Sequence, residues 1–362
     1  MSGPDLSAQR LDTIRGLAED AGAGAAVVSH AADVRWAVGF TGSSGLLVVT
    51  EGAATLVTDG RYRQQAADEA GGAVEVVVAP GPLAEAVAEH ALLDGVAAAA
   101  VQADHVTVAD LDKLRAALPA VRFEPVSAFL ASAVAAKTEA EVEAVRRAQA
   151  LTCRVFDEVL PYVQPGVSEL DLAAEVTYQH LKRGASAMSF PPIVASGPRG
   201  ALPHARPSAK TLRPGELVVL DMGGVLDGWC SDLTRTVAVG EPSEEARAAY
   251  AVVQRAQRAA VDAAQAGLLG GDLDRVARSV IEAAGLGEAF SHSLGHGVGL
   301  DVHEWPRLSQ QVEHRLPVGA TVTIEPGVYL PGRFGVRIED VVVLREGGAE
   351  NLTPLPTDLL VL

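Results

Sequence analysis

LRPGELVVLDMG (residues 212–223) and LPVGATVTIEPG (residues 316–327) are two versions of one string. Leu212 aligns with Leu316, Gly215 with Gly319, Val218 with Val322, Leu220 with Ile324, Asp221 with Glu325 and Gly223 with Gly327. Each copy reads as a turn, a short apolar strand, a carboxylate at the strand's end and a glycine. Each is followed by a second acid that opens another strand, Asp232 ahead of LTRTVAV and Glu339 ahead of DVVVL. Such a duplication predicts two similar halves, related by a rotation near 180°, that bring four carboxylates to one place.

Around these strings the C-terminal part reads as helices over about 138–159, 169–183, 243–266 and 273–284, with Pro161, Pro165 and Gly166 between the first two. Thr138 and Glu141 form a capping-box pattern at the start of the first. Upstream, short β-like runs (AAVVSH, GLLVVT, ATLVTDG, VEVVVA, VAAAAV and residues 121–126) alternate with helical stretches such as 7–21 and 83–92. That alternation predicts a smaller α/β layer domain. The boundary is placed near 127–137, giving domains 1–130 and 131–362 and an α+β class for the whole chain.

Composition narrows the function. A chain of 362 residues has room for two domains. A formal charge of −17 repels a phosphate backbone and argues against nucleic acid. Cys153 and Cys230 are the only cysteines, too few for a disulfide framework or a thiolate metal site. The first twenty residues lack the basic-then-apolar pattern of a secretion signal, and apolar runs such as 96–101 fall short of the roughly 20 residues a membrane span needs. The sequence therefore reads as a cytoplasmic protein with no membrane partner.

Four acids gathered in an apolar strand context repel one another unless they take up protons or share a cation. One acid alone reads as a salt bridge or strand cap; four in repeated pairs read as a metal site. HSLGHGVGLDVHE (residues 292–304) supplies three of the nine histidines and is too rich in glycine for a regular helix, which excludes the helical H-E-x-x-H geometry. Carboxylates with imidazole and no thiolate favour harder or borderline cations such as Mn²⁺ or Co²⁺. Paired ions of this kind lower the pKa of water towards about 7, which makes hydrolysis the natural reaction class.

In order, IVASG with PHA, then LDMGG, SDLTRT, HSLGHGVGLDVHEWP, TIEPGVY and GVRIED resemble the pita-bread metallopeptidases, within them aminopeptidase P and prolidase. FTGSSG and TDGRYRQQA resemble the N-terminal domain of the same group, so the likeness covers most of the chain. It implies a C-terminal pita-bread (creatinase/aminopeptidase) domain with pseudo-twofold halves, preceded by a creatinase/prolidase-type α/β domain that caps the cleft or makes a dimer contact. Carried over by motif, Asp221, Asp232, His296, Glu325 and Glu339 would hold two divalent ions, Mn²⁺ first, with Co²⁺ or Zn²⁺ as alternatives. Glu325 would also transfer protons; His204, His292, His303 and Arg337 would contact substrate or the ligands, His303 at the developing oxyanion. The implied reaction is attack of a metal-bridging hydroxide on the Xaa-Pro bond of small peptides with proline second, in a homodimer. Trp229, where a tyrosine is common, and the prolines of SFPPIV depart from the pattern without touching a ligand position.

Three other readings compete. A metal-free creatinase-like hydrolase or a non-catalytic binding module would show altered ligand positions, and all five are intact. A methionine aminopeptidase shares the ligands but ordinarily lacks a large N-terminal domain. Dipeptidase and aminopeptidase activity are not separated by sequence.

Overall fold

The computed structural model describes residues 4–70 and 72–362, which divide into two compact units between Val134 and Ala135. The first unit contains α1 (Pro4–Asp20), β1 (Ala25–Val28), α2 (Ala31–Val38), β2 (Gly45–Thr50), β3 (Ala54–Asp59) and α3 (Arg63–Glu69). It continues with β4 (Glu75–Ala79), α4 (Leu83–Glu89), β5 (Ala98–Gln102), α5 (Val108–Ala117) and β6 (Arg122–Val126). The strands form one sheet in the order β4-β3-β2-β1-β5-β6. β2 is antiparallel to both neighbours, whereas β3–β4, β1–β5 and β5–β6 are parallel. The helix expected over 83–92 stops at Glu89, because Ala91 turns to a positive φ of 54° and leads the chain out.

α6 (Ala131–Ala135) spans the division. The second unit opens with α7 (Glu139–Val159), whose N-terminus carries the complete Thr138–Glu141 capping box. There follow α8 (Glu169–Lys182), β7 (Ala187–Met188), β8 (Ile193–Ser196), β9 (Leu217–Met222), β10 (Gly224–Leu226), β11 (Trp229–Cys230) and β12 (Leu233–Ala238). Then come α9 (Glu244–Ala263), α10 (Gly270–Ala283), β13 (Gly295–Gly297), β14 (Glu304–Leu308), β15 (Thr321–Ile324), β16 (Gly327–Leu330), β17 (Phe334–Arg337), β18 (Asp340–Arg345) and β19 (Gly348–Asn351). The helix expected from residue 273 begins three residues earlier. Gly270 and Gly271 open it because that end presses on backbone, where a Cβ would lie 2.4 Å from the Arg307 carbonyl and 2.9 Å from that of Val312.

The duplication extends beyond the two strings. A 21-residue and a 14-residue helix, α7 and α8, precede the sheet β12-β9-β8. A 20-residue and a 14-residue helix, α9 and α10, precede the sheet β14-β13-β15-β18-β19. Each half has a main apolar core. One joins Val155, Val176, Val194, Leu220 and Leu233, and the other joins Val253, Ala277, Val322, Ile324 and Val342. A third apolar cluster, with Val142, Val145, Val298, Val341 and Val343, joins the two halves. The strand pairs are both antiparallel but differ in register: Asp221 lies opposite Thr234, two residues past Asp232, whereas Ile324 lies opposite Asp340, next to Glu339. The fold comprises an α/β domain and, following it in sequence, a pita-bread domain of two related halves. No helix among the described residues is long and apolar enough to cross a membrane.

Candidate metal centre

Each acid of the repeated strings stands at a strand terminus: Asp221 near the end of β9, Asp232 just before β12, Glu325 just after β15 and Glu339 just before β18. His296 is the middle residue of β13, between β14 and β15. Its flanking glycines let the strand fit there. A Cβ on Gly295 would sit 2.0 Å from the Thr323 carbonyl oxygen, and one on Gly297 would sit 2.4 Å from that of Trp305. The His-rich segment is thus a three-residue strand set in irregular chain and not a helix, as its glycines require.

The His296 Nε2 lies 3.4 Å from Glu325 and 3.7 Å from Asp232. Ligand atoms of Asp232, His296 and Glu339 all fall within 4.8 Å of one another. Hydrogen bonds aim them. His296 Nδ1 donates to the Gly297 carbonyl at 3.0 Å, which leaves the Nε2 lone pair facing the acids. Thr323 Oγ1 accepts from the His296 backbone N–H and donates to Glu325 at 3.2 Å. Thr234 donates to Glu339 at 2.6 Å, and Arg337 donates to Asp221 Oδ2 at 2.5 Å. Asp221 Oδ1, also buried, has no hydrogen-bond partner among the described residues.

Burial and mutual repulsion push the carboxyls upward. Desolvation, then the charges of Glu339, Asp221 and Glu325, hold Asp232 well above its ordinary range. Desolvation followed by Glu325 and Asp221 does the same to Glu339. Glu325 rises to about 7, chiefly by desolvation. Asp221 is raised by burial in spite of the Arg337 guanidinium beside it. Burial lowers His296 to about 3, so its imidazole is neutral and free to ligate. Three buried carboxylates and the half-buried Glu325, only one of them bonded to a guanidinium, an orphaned oxygen among them, and a neutral imidazole aimed at the same point fit divalent cations.

His204, His292, His303 and Arg337 line the same cavity as the five candidate ligands, so all nine residues singled out in the sequence come together. The cavity measures about 560 Å³. His303 sets its ring edge-on to His296, with centroids 4.4 Å apart. A directed chain runs from the Arg337 guanidinium to the Tyr329 hydroxyl and from that hydroxyl to His292 Nε2, each at 2.8 Å. Desolvation, then Arg337, depresses His292 to about 4, so it accepts as a neutral ring. Phe190, Pro191, Pro192 and Ile193 form an apolar wall, which is where the prolines of SFPPIV fall.

Arg307, Tyr329 and Thr234 were not foreseen. Arg307 lines the cavity and is the cross-strand partner of His296, so pairing GHG with the following WPRL would have revealed it. Tyr329 and Thr234 carry no local signal, since each acts on a residue brought in by another strand.

Known proteins bear on the chain at this point. The model of metallopeptidase family M24 matches residues 143–346, and that of the creatinase/prolidase N-terminal domain matches residues 10–133. An uncharacterized peptidase of Bacillus subtilis, YqhT, is 35% identical over 353 residues, 98% of this chain and 100% of the relative. An Xaa-Pro dipeptidase from Bacillus anthracis superposes with a TM-score of 0.95 at 35% identity, covering 98% of this chain and 100% of that one. An X-Pro aminopeptidase from Thermotoga maritima superposes with a TM-score of 0.88, also at 35% identity, covering 96% and 100%.

Proposed function

The chain belongs to metallopeptidase family M24, and from that premise we propose that it hydrolyses the Xaa-Pro bond of dipeptides at a two-metal centre held by Asp221, Asp232, His296, Glu325 and Glu339. The observation that carries this reading is the four-carboxylate, one-imidazole cluster, with its orphaned Asp221 oxygen, that lines a cavity. Divalent ions there, Mn²⁺ by preference for an oxygen-rich set, supply Lewis acidity and water that ionises near neutral pH. The chain's own residues do the rest. Glu325 carries the proton from water to the leaving proline nitrogen. His303, neutral because burial lowers its pKa, donates to the carbonyl oxygen as charge develops there. Arg337, braced by Tyr329 and the Pro203 carbonyl, fixes Asp221. The Phe190–Ile193 wall takes the pyrrolidine ring.

Arg307 favours dipeptides, since its cation faces the cavity and suits a free C-terminal carboxylate one residue past the scissile bond. The enzyme acts as a homodimer in the cytoplasm, where Cys153 and Cys230, both buried and unpaired, remain reduced. The test compares an Xaa-Pro dipeptide, its C-terminal amide and an Xaa-Pro-Yaa peptide. Chelation should abolish dipeptide hydrolysis and Mn²⁺ should restore it. Arg307→Gln should raise KM for the dipeptide about 10- to 100-fold, the worth of a charge-assisted hydrogen bond, and leave the amide unaffected. Full turnover after exhaustive metal removal sinks the metal reading, and equal use of dipeptide and amide sinks the dipeptidase reading.

A further inference from the structure

The first unit holds a second cluster of metal-ligating side chains, apart from every residue used so far. His30 follows β1, Asp33 lies in the first turn of α2, and His105 follows β5. β1 and β5 are adjacent and parallel, so their carboxyl ends open on the same edge of the sheet. From β1 the chain proceeds through α2 to β2 on one side, and from β5 through α5 to β6 on the other. That divergence is the kind of place where open α/β sheets bind ligands, in the crevice beyond the strand ends where the order reverses.

The cluster is built rather than incidental. One ligand atom from each of His30, Asp33 and His105 lies within 4.8 Å of the other two. Gln102, itself 3% exposed, accepts from the backbone N–H groups of Ser29 and His30 and donates to Asp33 Oδ2 at 2.5 Å. An amide that fixes a carboxylate in this way is the usual outer partner of a ligating acid. His30 Nδ1 stands 3.3 Å from Asp33 Oδ2. Two ligands held about 2.0–2.1 Å from a tetrahedral ion are separated by about 3.3 Å. The His105 ring lies against His30 with centroids 3.7 Å apart, and as an exposed side chain it can swing its nitrogen to the ion.

We propose that His30, Asp33 and His105 form a divalent metal site in the N-terminal unit, selective for a late first-row ion, Zn²⁺ above all. Two imidazoles and one carboxylate make a softer set than the four carboxylates and single imidazole of the catalytic centre, so the two sites sort metals differently. Three protein ligands leave one position for water or an exogenous donor. The inference does not depend on which peptide bond the other site cleaves.

The full-length protein, stripped by chelator and dialysed against Zn²⁺, provides the test by bound zinc per chain. His105→Ala, whose side chain is exposed, should bind one ion fewer than wild type, with an unchanged circular dichroism spectrum and unchanged Xaa-Pro turnover. Asp33→Asn should lose the same ion. In Co²⁺-loaded protein, the difference between wild type and His105→Ala should contain the visible absorption of one four-coordinate ion. Equal zinc content in wild type and His105→Ala, or no such absorption difference, would overturn the site and leave two stacked histidines beside a carboxylate. Loss of the ion in a variant that has also lost its native spectrum is checked with His105→Gln, which keeps the ring's bulk. Zinc at the wild-type level in a folded His105→Gln likewise rejects the proposal.

Discussion

At the scale of single residues, the site shows which positions are interchangeable with their chemistry and which are not. Asp232 and Glu339 are both fully enclosed and both raised by each other's charge or by their neighbours, so each is tolerable only with a cation or a proton. Asp232→Ala or Glu339→Ala should therefore abolish turnover and reduce metal content, while the fold survives with a relieved repulsion. His303 differs. It touches the ligand His296 only edge-on, so His303→Ala should lower kcat about 10²–10³-fold with the metal content intact. Metal analysis beside kcat separates the cases, and loss of metal in His303→Ala would make it a ligand. The acids were legible in the sequence because a carboxylate ending an apolar strand is a local pattern, and it occurs twice. Arg307 and Tyr329 were not, because their meaning depends on which strand lies opposite.

At the scale of elements, β13 is the piece on which the centre depends. It is three residues long and passes between β14 and β15 with no room for a side chain on either flank of His296. The carbonyl of Thr323 occupies the space a Cβ on Gly295 would need, and the hydroxyl of the same residue aims both His296 and Glu325. Gly295→Ala should thus act twice. Overpacking should lower stability by about 1–3 kcal/mol, and disturbed aim should weaken metal binding about 10- to 100-fold. Thermal unfolding of the metal-free form reads the first effect, and metal titration reads the second. A variant with wild-type values for both would mean that β15 yields freely and that the close approach is not what positions His296. Sequence reading recognised that this segment could not be helical. The pairing partners are not local, and the start of α10 at Gly270, three residues before the expected one, is hidden for the same reason, since its glycines answer to backbone near residue 310.

At the scale of the whole catalytic unit, two halves joined by a small apolar cluster (Val142, Val145, Val298, Val341 and Val343) also share a cluster of charge that no apolar core can stabilise. The duplication was visible in twelve-residue strings, but its full extent, two long-and-short helix pairs with their sheets, emerges only from three-dimensional packing. The two-residue difference in register between Asp221–Asp232 and Glu325–Glu339 shows that the halves have adapted separately around one centre. This arrangement makes stability depend on metal and pH together. A carboxyl raised above its unfolded value binds its proton more tightly in the folded chain, so the metal-free protein gains stability as pH falls through the folded value. Glu325, at about 7 against an ordinary value near 4.3, places part of that gain around neutrality, and Asp232 and Glu339, also raised by burial and by their neighbours' charges, act in the same direction. Below about 6.5 the depressed His292 and His296 oppose it, since the unfolded chain then takes up protons that the folded one refuses. The window that Glu325 opens clear of the histidines therefore runs from about pH 8 down to about 7. There the Tm of chelator-treated protein should rise on acidification, while that of the loaded protein should stay level or fall as protons compete with the ions. Parallel curves for the two forms would show that the buried acids carry no unrelieved charge without metal, and the physical case for the two-ion centre would fail with them.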